Sequence, residues 1–126
     1  MNGFAKVQSR MLGGLVAGVV RATGGKNATV DGLRVCRAGW FKMYGRGGTI
    51  YGDTFVTPRD PSTLSSGLIE HEKFHRDHQW RKYGLAFGAM YLAAEVTDCW
   101  IGKKPFNRYE LAAEKASDWG GGYDRP

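Results

Sequence analysis

The stretch Glu70-His71-Glu72-Lys73-Phe74-His75 contains the pattern H-E-x-x-H, and no other feature limits the fold of this chain so tightly. On a helix, four residues turn through about 400°, so His71 and His75 lie about 40° apart on one face, one turn along the axis. Both imidazoles can then reach a single ion at about 2.0–2.1 Å, the Zn–N distance. Glu72 projects from the neighbouring position, close enough to touch a water activated by such an ion without being a ligand, as a general base requires. The flanking sequence supports a helix here. Asp60 is a suitable N-cap with Pro61 at the first helical position. Leu64, Leu68, Ile69, Phe74 and Trp80 supply apolar positions as far as about Lys82, and Gly84 ends the run.

Two histidines do not complete a zinc site, and a third protein ligand must come from elsewhere. His78 sits near the same face but about 10 Å along the axis from His71, too far to share one ion easily. The metzincin spacing fails, because His78 stands where that pattern needs glycine and Arg81 where it needs histidine. The remaining candidates are Glu110 and Glu114, one turn apart on a helix expected from Asn107 to about Trp119. Glu110 has a competing role. With Asn107 as N-cap it occupies the third helical position and could close a capping box.

The rest of the chain reads as α+β: a short antiparallel sheet packed on the H-E-x-x-H helix, two further helices, and an N-terminal amphipathic helix. Strand texture is confined to residues 33–57, where Leu33, Val35 and Arg37 alternate with Arg34, Cys36 and Ala38. Thr49-Ile50-Tyr51 and Thr54-Phe55-Val56-Thr57 flank Gly52-Asp53, a two-residue hairpin turn. A mostly apolar helix follows from Leu85 to Trp100, broken by Gly102-Lys103-Lys104-Pro105. Near the N-terminus Phe4, Val7, Met11, Leu15 and Val19 recur at steps of three and four, with Lys6, Arg10 and Arg21 off the stripe. That stripe is expected to be buried, on its own domain or on a partner protein. Gly13, Gly14 and Gly18 weaken the helix in isolation, so it needs a surface to lie on. Thr23–Gly32 reads as a polar, glycine-rich connection, which divides the chain into an arm over residues 1–32 and a motif-bearing domain over 33–126.

Composition narrows the partners. The 126 residues carry a net charge of +6, which permits a polyanionic partner without requiring one. The 18 basic residues are spread along the chain rather than clustered between stacking aromatics, so nucleic acid is not indicated. Cys36 and Cys99 form no C-x-x-C pair and read as two buried thiols, with one bridge between them as the alternative. No run of about 18 apolar residues is present, so no transmembrane segment is expected. Met11 to Val20 superficially resembles a signal peptide, but three glycines interrupt it and no small-x-small cleavage site follows. A cytoplasmic location, or a place in a larger particle, is the reading preferred over secretion.

His71-Glu72-x-x-His75, then Gln79-Trp80-Arg81-Lys82-Tyr83-Gly84, then Asn107-Arg108-Tyr109-Glu110-Leu111-Ala112-Ala113 together resemble the minimal gluzincin pattern. In those small zinc metallopeptidase-like domains an aromatic and basic stretch follows H-E-x-x-H, and an N-x-(aromatic)-E-x-x-A helix comes later. The resemblance spans about Thr49 to Ser117. It implies Zn2+ held by His71, His75 and Glu110, with Glu72 as catalytic base and a peptide or protein as substrate. Glu114 and His78 stand in reserve as ligands or outer partners. Tyr109 and Tyr83 are candidate stabilisers of the transition state, and the hairpin over residues 48–57 offers an edge strand to an extended peptide. Two features depart from the pattern. Arg108 stands where the family usually has proline, and Glu70, Lys73, Arg76 and Asp77 charge a helix that is usually uncharged around its histidines. The alternative function is a non-catalytic, metal-stabilised interaction module of a larger assembly, such as a phage particle, docked through its N-terminal arm.

Overall fold

The computed structural model describes residues 2–44, 48–104 and 106–117. Helix α1 (Asn2–Ala22) leads into strands β1 (Lys26–Val30) and β2 (Leu33–Arg37), followed by β3 (Thr49–Tyr51) and β4 (Thr54–Thr57). The architecture is α+β, and the four strands form one sheet in the order β1-β2-β4-β3. The sheet is mixed rather than wholly antiparallel. β1 with β2 and β3 with β4 are antiparallel hairpins, but β2 and β4 pair in parallel, Val35 opposite Phe55. The chain leaves β2 for the far edge and returns through β4, which brings β4 beside β2 in the same direction.

Strand β1 lies inside the stretch expected to be a loose connection. It pairs residue for residue with β2, Val30 opposite Leu33, across a two-residue turn. Asp31 and Gly32 there have φ of 50° and 81°, as a type I′ turn requires. The hairpin crosses the expected boundary at residue 32, so backbone hydrogen bonds tie the arm into the sheet.

The sheet is covered on both sides, and so the central strand β4 is buried at all four positions. Leu33, Val35, Ile50 and Phe55 pack with Leu68, Ile69, Trp80 and Phe87 on one face. Cys36 and Val56 pack with Val16, Ala17 and Val20 of α1 on the other. Cys36 and Cys99 are separate thiols, and only Cys36 is buried as expected, Cys99 being half-buried. Cys36 donates to Asn27 Oδ1 at 3.0 Å, and burial, partly opposed by Arg34, raises its pKa to about 11.

Helix α1 packs on its own domain by a different face from the stripe expected to be buried there or on a partner. Phe4, Val7, Met11 and Leu15 are 71%, 49%, 70% and 67% exposed, and Val19 is half-buried. The inner face is Ala5, Ser9, Gly13, Val16, Ala17 and Val20, an equally regular stripe of small residues. Smallness decides the matter, because the helix backbone lies directly on the β3–β4 turn. Thr54 Oγ1 donates to the Gly13 carbonyl at 2.8 Å, the Asp53 N–H to the Ser9 carbonyl at 3.2 Å, and Ser9 Oγ to Asp53 Oδ1 at 2.6 Å. A Cβ on Gly13 would stand 2.9 Å from Thr54 Oγ1, and one on Gly52 (φ 60°) 2.3 Å from the Ser9 carbonyl oxygen. Larger side chains would hold the helix off the sheet.

The helical half begins later than expected. Asp60 caps only a 3-10 turn, Pro61–Thr63, and extended Leu64 interrupts it. Helix α2 (Ser66–His75) starts at a second cap, Ser65, whose hydroxyl accepts the Leu68 N–H. It runs on through a π turn, Arg76–Trp80, to a last turn at Arg81–Tyr83. Helix α3 (Ala86–Ala94) likewise loosens into a π stretch, Glu95–Ile101, and helix α4 (Arg108–Ser117) closes the described chain. The expected helix end at Trp119 falls outside the described residues. Among the described residues no helix is long and apolar enough to cross a membrane.

Candidate metal centre

Helix α4 packs alongside α2 and delivers one carboxylate to its two histidines. His71 Nε2 and His75 Nε2 stand 3.2 Å apart. Glu110 Oε1 lies 2.9 Å from the first and 3.0 Å from the second. These donor atoms all fall within 4.8 Å of one another. Both histidines are buried, and the tautomer of His75 is set from behind. His75 Nδ1 faces Gln79 Oε1, while Gln79 Nε2 donates to the Tyr109 carbonyl at 3.2 Å. With its Nδ1 proton on Gln79, His75 presents the Nε2 lone pair to the cluster. Gln79, four residues after His75 and so on the same helix face, and its neighbour Trp80 are both buried in the π turn.

Glu110 reaches this point because another residue caps its helix. Asn107 Oδ1 accepts the N–H groups of Tyr109 and Glu110, both at 2.9 Å. The Glu110 carboxylate is therefore not closing a capping box, and its Oε2 takes the Tyr91 hydroxyl proton donor instead. The position after Asn107 also shows why arginine suits it. The Arg108 N–H donates to Asp98 Oδ2 at 3.0 Å, and its guanidinium meets Asp98 Oδ1 at 2.9 Å. A proline could not donate the first of these bonds.

Two imidazole nitrogens and a carboxylate oxygen converge on one point, a group that could hold a cation. Burial pulls the His75 imidazolium down, but the charge and hydrogen bond of Glu110 outweigh burial and lift its pKa to about 9. Burial pushes Glu110 up, and the positive His75 with bonds from His71, His75 and Tyr91 more than reverses this, holding it well below the usual carboxylate range. The donor set suits zinc, which takes nitrogen and carboxylate oxygen in three-ligand sites with a position open.

Glu72 completes the site. Its carboxyl is buried, and Oε2 has no hydrogen-bond partner among the described residues. Burial raises its pKa well above the ordinary value; His75 opposes that rise and Glu110 adds to it. A carboxylate oxygen left without a donor is costly in a site that has no use for it. Glu72, His75, Tyr91 and Glu110 line one cavity of about 420 Å³ whose other walls include β3, Trp80, Phe87 and Gly88.

The remaining expected residues divide as follows. His78 is exposed, its ring 4.8 Å from Phe74, and takes no part in the cluster. The Glu114 side chain lies outside the described residues. Tyr109 is in an aromatic wall, 5.1 Å from Phe87 and 6.4 Å from Tyr91, and Tyr83 stacks on Phe87 at the surface. The tyrosine whose hydroxyl reaches the cluster is Tyr91, which nothing in the sequence singles out. The charges on α2 are spent away from the His71–His75–Glu110 cluster. Lys73 Nζ lies 3.7 Å from both Asp31 and Glu70, and Arg76 pairs with Asp77 at 2.7 Å.

No protein-family model matches the chain, and neither a curated protein nor a solved structure matches it.

Proposed function

We propose that the chain is a zinc-dependent peptide-bond hydrolase in which His71, His75 and Glu110 hold the ion and Glu72 is the general base. The observation that carries this reading is the buried, unpartnered Glu72 oxygen beside the three-donor cluster, in a cavity bordered by a strand edge. Zinc in such a site supplies Lewis acidity toward a carbonyl and lowers the pKa of a water toward about 7. The chain's own groups do the rest. Glu72 accepts the proton of the attacking water and returns it to the departing amine, and burial keeps its carboxyl basic enough to do so. Gln79 fixes which nitrogen of His75 faces the cluster, and Tyr91 engages Glu110 Oε2 so that Oε1 faces the histidines. β3, at the end of the strand order, offers main-chain groups to an extended peptide, one side chain of which enters the apolar space by Ile50, Trp80 and Phe87.

The test is a peptide-library digest followed by mass spectrometry, with metal analysis of the same samples. Glu72→Gln keeps shape but loses the proton acceptor, so cleavage should fall by roughly 10²-fold or more with zinc content unchanged. Equal cleavage by wild type and Glu72→Gln, or none by either, ends the hydrolase reading and leaves the metal-stabilised interaction module as the better account.

A further inference from the structure

Helix α1 turns outward an apolar ridge that the described chain does not cover. Phe4, Val7, Met11 and Leu15 follow one line along the helix, all exposed. Lys6, Arg10 and Arg21 are exposed as well, and at 100° per residue they lie about 80–140° round from the ridge, all on the same side. No aspartate or glutamate occurs between residues 2 and 22. Lys6 also lines a shallow basic depression with Arg76, His78, Arg81 and Lys82. Two of these cations are already paired, Arg76 with Asp77 at 2.7 Å and Arg81 with Asp53 at 2.6 Å.

We propose that α1 docks the molecule onto an anionic phospholipid surface, lying in the plane of the interface. The ridge enters the acyl boundary while Lys6, Arg10 and Arg21 meet the headgroup phosphates. The choice of occupant rests on charge and shape. A second copy packed antiparallel through the same ridge by a two-fold axis would set basic flank against basic flank, and no acid on the helix answers the basic flank in any pairing. A convex single file of apolar side chains enters a fluid surface without needing a complementary groove. The helix is already held by its inner face on the sheet, so binding does not have to order it. No described helix is long and apolar enough to cross a bilayer, so the docking proposed is in the plane of the interface. None of this depends on the metal centre.

Flotation of the full-length protein with phosphatidylcholine vesicles, with and without phosphatidylglycerol, tests the proposal. Binding is expected only to the phosphatidylglycerol vesicles and is expected to weaken as salt is raised. The double variant Lys6→Gln/Arg10→Gln should bind roughly 25-fold more weakly, about 5-fold for each cation lost. Met11→Glu should lose binding while keeping the wild-type unfolding midpoint. Leu92→Glu, an equally exposed apolar site on α3, should bind as wild type does. Binding to neutral vesicles alike, no binding to either, or loss in Leu92→Glu would overturn the proposal. A dimer in sedimentation that Met11→Glu dissociates would give the ridge to a second copy instead.

Discussion

Gln79 and Tyr91 govern how the ligands of the cluster are presented, although neither would touch the ion. Replacing Gln79 by Leu removes the acceptor that fixes the His75 tautomer, so zinc affinity should fall about 10–100-fold. Tyr91→Phe keeps the ring against Phe87 at 5.8 Å and loses only the hydroxyl bond to Glu110, so its effect should be smaller. Glu110→Ala should strip the metal and His78→Ala should not, as read by chelator competition. At this scale the sequence was informative where chemistry is spelled by spacing. H-E-x-x-H at a helical interval places its own two nitrogens, and an asparagine three residues before Glu110 already announces a helix start. Gln79 stands four residues after His75 and so shares its helix face, but glutamine is ordinary on a helix and nothing else in the sequence marks it as the partner of Nδ1. Tyr91 is one aromatic in an apolar helix, and only the packing of α3 against α4 gives its hydroxyl a purpose.

The elements show where periodicity misleads. Helix α1 carries two stripes at helical spacing, one of large apolar residues and one of small ones, and transfer energy alone favours burying the first. The close approach of α1 to the β3–β4 turn reverses that preference, since only Ser9 and Gly13 fit there. β1 was hidden by its polar composition, although Asp31-Gly32 is a hairpin dipeptide and marks it in retrospect. The start of α4 yields two predictions. Asn107→Ala should cost about 1 kcal/mol of stability as a lost cap and should also weaken zinc binding, because the same cap orients Glu110. Asp98, held down to about 2 chiefly by its Arg108 bonds, contributes stability that is present above the ordinary carboxylate pKa of about 4. That contribution is lost as pH falls toward 2. Urea midpoints of wild type and Asp98→Asn should therefore differ at neutral pH and converge in acid.

At the scale of the molecule, the sheet separates two cores that should respond differently to the metal. Val20 belongs to the α1 side with Cys36 and Val56, and the sheet stands between it and the histidines. Phe87 belongs to the α2 side and supports both Tyr91 and Tyr109, at 5.8 Å and 5.1 Å, behind the ligand-bearing helix. A ligand that binds only the folded state adds RT ln(1 + [L]/Kd), about 4 kcal/mol at a thousandfold excess over Kd. Unfolding with zinc and with chelator thus reads the metal's contribution as a difference. Val20→Ala should lower both curves by about 1–3 kcal/mol and leave that difference unchanged. Phe87→Ala should lower the chelated curve by about 3–5 kcal/mol and also shrink the difference, because the wall that positions Tyr91 and Tyr109 is gone. Equal differences in the two variants would mean that the aromatic wall stabilises the domain without shaping its metal centre.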